Sequence, residues 1–289
     1  MNYLWHVSFL FAVFTILAVS LDLLIGHLGL LVLCHSAFFA LGAYLSASFM
    51  LSAHLPFPVS CLFAILATGV ISLPVAFAAR RLRGDAVVLG SFALLLVTVD
   101  LLKNLRNLTG GLDGLRGIPP VHFGPVQLVS YQSQAVFAIL IAAISWLLVQ
   151  RLTFSAQARF LHALRDDPYA AVGLRVYSTT IYFRTFALAS GMAALAGVLY
   201  ASYASYINPS VFGSDQAIAL TAMVLLGGAA RPWGPVLGAL IVISIPEIVR
   251  AIGGGPSYVG AVNYVVMGLV LFLFAIYRPK GILGGYEFK

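Results

Sequence analysis

Nine apolar blocks, near residues 4–25, 29–51, 57–79, 86–102, 133–150, 181–206, 214–230, 235–252 and 259–277, fill most of this 289-residue sequence. Crossing a hydrocarbon layer takes about 20 apolar residues in a helix. Water does not reach that depth to satisfy backbone N–H and C=O groups, so a spanning block must be a helix or part of a closed barrel. The two-residue alternation of a barrel strand is absent. The block at 86–102 is short and that at 214–230 contains Gly227-Gly228, so each is a candidate partial or re-entrant helix. The expected fold is an all-α polytopic membrane protein with about eight or nine transmembrane helices, forming a single transmembrane domain over residues 1–289.

Composition agrees. Apolar residues make up 61% of the chain and charged residues 9%, against about 45–50% and about 25% in a soluble domain. There is too little polar residue to coat such a chain in water, which excludes a soluble enzyme, a disordered protein and a nucleic-acid binder. The net charge of +7 is then the Lys/Arg excess of cytoplasmic loops. Cys34 and Cys61 lie inside apolar runs, with neither CxxC nor Cys/His ligand spacing, so no disulfide framework or metal site is indicated. The stretch Met1 to His6 lacks a basic leader and a small-residue cleavage site, so the first block is expected to be a retained span.

The basic residues cluster by connection. Arg80, Arg81 and Arg83 form one group; Arg151, Arg159, Arg165, Arg175 and Arg184 a second; Arg278, Lys280 and Lys289 a third. With Arg231 they account for twelve of the sixteen positive charges and place those connections, and the C-terminus, on the cytoplasmic side. Lys103, Arg106, Arg116 and Arg250 fall at the opposite ends of spans. The side of the N-terminus stays open, because it depends on whether both of the first two blocks cross.

Two connections are too long to be simple turns. Residues 103–132 are rich in Gly and Pro and are expected on the outer face. Residues 151–180, on the cytoplasmic face, contain Arg165-Asp166-Asp167-Pro168-Tyr169-Ala170-Ala171 and Gly173. Asp167 can cap a helix whose first position suits Pro168. A helix there does nothing for spanning, so it is expected to dock against another subunit.

Chemistry-bearing motifs are sparse. No lysine follows a glycine, so the phosphate-binding loop GxxxxGK[ST] is impossible and any ATP must be hydrolysed by a partner. The nucleophile elbow GxSxG is missing, and Gly90-Ser91 with the six histidines specifies no positioned base for an intramembrane hydrolase. Ionisable residues within or at the ends of blocks are Asp22, His27, His35, Asp100, Glu247 and Arg250. Each is costly in lipid, so each faces protein, an interface or a polar path. Asp100 and Lys103 stand at i,i+3, which keeps a proton-coupled carrier among the alternatives. Small-residue runs at Gly42-Ala43, 190–197 and 227–230 fit either close helix packing or broken helices around a substrate site.

Taken in order, five stretches resemble the M-type permease subunits of branched-chain amino-acid ABC importers. Leu21 to Gly29 and His35 to Tyr44 are similar to the family's NLLLGYTG and GHAAFFGIGAY; Leu82-Arg83-Gly84-Asp85 to LRGDYFA; Leu108-Thr109-Gly110-Gly111 through Pro119 to LTGG..GL.GIP; Ala163 to Ala171 to ALREDEIAA; and Trp233 to Ala239 with Arg278 to Gly284 to WGPVLGA and RPRGLLG. Asp22 replaces the family's Asn, Cys34 its Gly, and Ala86-Val87-Val88 its aromatic YFA. These departures bear on substrate identity more than on fold.

The resemblance implies an amino-acid importer subunit, most characteristically for Leu, Ile and Val, that works by alternating access in a bacterial inner membrane. It is a transport subunit and not an enzyme. The implied partners are a second, H-type permease forming a heterodimer, two cytoplasmic ATPase subunits that carry ATP and Mg, a periplasmic substrate-binding protein and membrane lipid; this chain binds no cofactor. Arg165, Asp166, Asp167, Pro168, Tyr169, Ala170, Ala171 and Gly173 are the expected ATPase-coupling segment. Asp22, His35, Ser36, Phe38, Asp100, Thr109, Gly110, Gly111 and Glu247 are the candidate translocation-path residues. Related permeases serve urea and short amides, so these stay open as substrates.

Overall fold

In the computed structural model, residues 2–82, 84–123, 126–166 and 178–251 are described, with 265, 268–269, 272, 276–277 and 281–284. Helix α1, Asn2–Asp22, runs straight into a π-helical turn, Leu23–His27. It is followed by α2, His35–Ser52; α3, Phe57–Arg81; α4, Asp85–Asn104; and the four-residue α5, Arg106–Thr109. Then come α6, Tyr131–Thr153; α7, Ala156–Asp166; α8, Ser178–Ala204; α9, Ser214–Gly227; and α10, Gly234–Ala251. Among the described residues, six segments are long and apolar enough to cross a membrane: Tyr3–His27, Phe57–Arg81, Asp85–Asn104, Tyr131–Thr153, Thr179–Ala204 and Pro209–Gly227. The protein is an all-α, multi-pass membrane chain; most of the block at 259–277 lies outside the described residues.

Local chemistry sets the helix ends. Pro56 precedes α3 in extended conformation. The Ser130 side chain caps α6 by accepting the Ser133 N–H at 3.1 Å. Gly228, at φ 107°, stops α9 where a side chain would be strained. The block expected at 29–51 becomes helical only at His35, because residues 29–34 form a non-helical link after the π turn.

Burial separates centre from periphery. The most apolar windows of α1 and α8 are 83% and 78% buried, those of α3, α4 and α6 only 22–33%. The outer faces of those three helices, with Leu66, Val70, Leu89, Val97, Ile144 and Leu147, suit lipid. At the centre α2 crosses α8 so closely that a Cβ on Gly42 would collide with the Ala194 backbone, and one on Gly197 with the Phe39 carbonyl. The small-residue runs at Gly42-Ala43 and 190–197 are therefore packing surfaces.

The bundle has two chemically distinct ends. At one, Arg80 donates to Thr179, Trp146 Nε1 and Gln150 Nε2 to the Pro232 carbonyl, and Arg231 Nε to Gly284. At the other, β1 (Leu115–Arg116) pairs antiparallel with β4 (Tyr206–Ile207), and β2 (His122–Phe123) with β3 (Val126–Gln127). Ser48 Oγ donates there to Leu108, and the Phe57 N–H to His122. The connection at 103–132 is thus a folded cap with short strands, an element the apolar pattern does not announce. His6 hydrogen-bonds Tyr203 at 2.6 Å, so α1 starts at the capped end and finishes at the basic one.

Helix α9 is the exception among the spans. Its 14 residues rise about 21 Å, against about 40 Å for the 27 residues of α8. The 3₁₀ turn before it, Pro209–Phe212, inserts Phe212 among Phe39, Tyr44 and Tyr200. The block at 214–230 therefore begins inside the bundle, while that at 86–102 makes a full 20-residue helix.

Candidate functional site

Two polar clusters interrupt the apolar interior. The first is where α2 and α9 both begin. His35 is 1% exposed. The Ser20 hydroxyl lies 3.0 Å from the Leu17 carbonyl and hydrogen-bonds His35 Nε2 at 2.8 Å. Among the described residues, His35 Nδ1 is buried without a partner. Beside it Ser36 Oγ donates to the Phe212 carbonyl at 2.7 Å, and Phe38 meets the His35 ring edge-on. Leu33 N–H donates to Ser91 Oγ at 2.9 Å. Helix starts and a helix-free link at membrane depth are tolerated where protein or a polar cavity satisfies them. His35, Ser36 and Phe38, neighbours in the sequence and expected together on a translocation path, form one cluster.

The second cluster lies at the basic end. Asp22, 3% exposed, accepts the Ala230 N–H through Oδ1 at 2.9 Å and so ties the end of α1 to the turn between α9 and α10. Helix α7 packs beneath it. Its buried residues Ala158, Leu161 and Leu164 recur at helical spacing. Arg165 Nη1 donates at 2.9 Å to the Gly26 carbonyl, at the end of the π turn, where intrahelical donors run out. Arg165 Nε pairs with Asp166 at 3.1 Å, and the Arg165 stem lies against Gly29. The coupling residues at the start of the expected segment thus touch the helix that carries Asp22.

Between these elements is a cavity of about 260 Å³, lined by Val19, Asp22, His27, Val149, Gln150, Thr153, Phe154, His162, Ala230, Arg231, Pro232 and Pro235. The His27 and His162 rings are 5.4 Å apart. Among the described residues, His27 Nδ1 and His162 Nε2 are buried without hydrogen-bond partners. On α7, burial and the Arg165 guanidinium push the His162 pKa below its ordinary value, so the ring is neutral near pH 7. The sequence reading missed His162, Gln150 and Thr153. The Ala158/Leu161/Leu164 period was the available signal, since it makes 156–166 an amphipathic helix.

The other expected residues are dispersed. Asp100 is exposed and pairs with Lys103 at 3.4 Å, one turn from the capped end of α4. Glu247 pairs with Arg250 at 3.4 Å on α10 and keeps Oε2 buried without a partner. Thr109 is buried; its hydroxyl sits 2.6 Å from the Leu102 carbonyl and accepts the Gly111 N–H. Gly110 and Gly111 follow at φ 71° and 62°. The coupling segment differs from expectation in one respect: Arg165 and Asp166 end a helix that starts at Ala156, whereas the cap chemistry pointed to a start at Asp167. Asp167, Pro168, Tyr169, Ala170, Ala171 and Gly173 lie outside the described residues.

No group of His, Cys, Asp and Glu among the described residues could hold a metal ion. A helical bundle with lipid-facing flanks, a non-helical link before α2 and an amphipathic helix latched to the end of α1 is the architecture of a multi-pass membrane protein. Comparison with known proteins narrows this. The family described as branched-chain amino acid transport system / permease component matches residues 3–275; the chain belongs to that family and is not an enzyme. It is 26% identical over 94% of its length to the high-affinity branched-chain amino acid transport system permease protein LivM of Salmonella typhimurium, of which it covers 68%. It is 23% identical over 95% of its length to the permease protein LivH of that organism, covering 92% of it. The autoinducer 2 import system permease protein LsrC of Yersinia pseudotuberculosis is 29% identical over 72% of this chain and 57% of its own length. No solved structure matches.

Proposed function

We propose that this chain is one transmembrane half of an ATP-binding-cassette importer that carries branched-chain amino acids from periplasm to cytoplasm across a bacterial inner membrane. It forms a single permease domain and pairs with a second, H-type permease, a reading supported by the likeness to both LivM and LivH. Two cytoplasmic ATPases, holding ATP and Mg, act on α7 and the segment after it; a periplasmic binding protein delivers substrate to the capped end.

The observation that carries this reading is the double latch at the basic end. Arg165 ties α7 to the end of α1, and Asp22 ties α1 to the α9–α10 turn. A push on α7 therefore moves two membrane helices together, as alternation between inward- and outward-open states requires. Along the path the buried clusters offer neutral polar groups (His35, Ser36) beside Phe38, which suits an amino acid released by another protein more than one held tightly here.

The test is uptake into proteoliposomes that contain this chain, the second permease, both ATPases and the binding protein. Labelled leucine should accumulate, and unlabelled isoleucine and valine should compete. Uptake of urea or a short amide with no leucine uptake would move the chain to the alternative substrate class.

A further inference from the structure

The cavity at the basic end has the composition of a site for a small zwitterion. Its lining brings one carboxyl group, Asp22, and one guanidinium, Arg231, to a wall that also carries the His27 and His162 imidazoles. A simple anion would face Asp22 and a simple cation Arg231. An ammonium and a carboxylate on one molecule satisfy both.

Both groups are held in place and under-used. A carboxylate offers about four acceptor positions, and among the described residues Asp22 accepts one hydrogen bond, from Ala230. Arg231 is anchored by Nε to the Gly284 carbonyl at 2.9 Å, which fixes the plane of the guanidinium and leaves its Nη atoms for a planar, bidentate acceptor. Val19, Val149, Phe154 and Pro235 give the remaining wall an apolar character. At about 30 Å³ per water-sized group, 260 Å³ holds eight to nine such groups, the size of leucine with its nine heavy atoms.

We infer that this cavity binds a branched apolar amino acid from the cytoplasmic side, its carboxylate on Arg231 and its ammonium on Asp22. The choice of amino acid rests on the transport reading given above. An occupant touches α1, α6, α7 and the α9–α10 turn at once, so it holds α6 against the group that the latch moves together and resists the change of arrangement each cycle needs. Accumulated product thereby slows its own import.

The cavity provides its own reporter, because Trp146 donates to the Pro232 carbonyl and packs against Trp233 with ring centroids 4.5 Å apart at 37°. The full chain in detergent, without ATPase, is titrated with L-leucine while tryptophan fluorescence is followed. A saturable change is expected. Leucinamide, lacking the carboxylate, and 4-methylpentanoate, lacking the ammonium, should not reproduce it. Arg231→Gln, at an exposed position, and Asp22→Asn, which keeps an acceptor for Ala230, should each weaken binding at least tenfold. No saturable change in the wild-type chain, equal responses to the three compounds, or undiminished binding by both variants would overturn the inference. In proteoliposomes of the assembled transporter, leucine preloaded on the ATPase side should slow uptake several-fold in the wild type and less in Arg231→Gln. Failure of wild-type leucine uptake counts against the transport reading, whereas uptake that preloading leaves unchanged counts against product control.

Discussion

Replacing Arg165 with alanine should uncouple ATP hydrolysis from uptake, and the structure sets the size of the effect. The Arg165 side chain is 14% exposed, and its Nη1 donates to the Gly26 carbonyl at 2.9 Å, at the end of α1 and its π turn. A hydrogen bond from a charged donor contributes about 1.5–3 kcal/mol, and a cation at a helix C-terminus adds about 0.3–1 kcal/mol. Removing the guanidinium should therefore cost the latch about 2–4 kcal/mol, or a roughly 30- to 700-fold shift toward α7 released from α1 at about 1.4 kcal/mol per tenfold. Arg165→Lys keeps the charge but not the planar fork and should fall between. The assay is the ratio of leucine accumulated to ATP hydrolysed in proteoliposomes of the full transporter. Arg165→Ala should keep its hydrolysis and lose most of its uptake. A ratio equal to wild type, with normal assembly, would refute the latch as the route of coupling.

Two further outcomes follow from packing and burial. Gly42→Val should lower the melting temperature of the purified chain, since the Ala194 backbone occupies the space its side chain needs; overpacking costs about 1–3 kcal/mol, and an unchanged melting curve would contradict the close α2–α8 crossing. A cysteine at exposed Asp113 should react with a membrane-impermeant thiol reagent added outside intact cells, while one at buried Thr109 should not; labelling of Asp113→Cys only after the cytoplasm is opened would reverse the topology.

Span positions were legible because lipid demands one simple thing of a sequence. The blocks at 57–79 and 86–102 became helices at Phe57–Arg81 and Asp85–Asn104. The clustering of arginines likewise foretold two unlike ends. What stayed hidden depends on contacts between residues far apart in the chain. Nothing near Asp22 announces that it holds Ala230, 208 positions later, or that Leu115 pairs with Ile207. Asp100 reads as an intramembrane charge from its neighbours, yet the helix turns it outward near the capped end. His162 was overlooked for another reason. The Asp167-Pro168 cap marks a helix start after it, while residues 156–166 are too polar on average to stand out as an apolar block, although their apolar period is strong.

The account stands on this chain being driven by ATP through a partner. The most direct measurement compares leucine uptake by the chain alone, under an imposed proton gradient, with uptake by the chain assembled with its second permease, ATPases and binding protein and supplied with ATP. The account predicts no uptake in the first case, whatever the gradient, and ATP-dependent uptake in the second. Gradient-driven accumulation by the chain alone, with ATP and the ATPases making no difference, would contradict it.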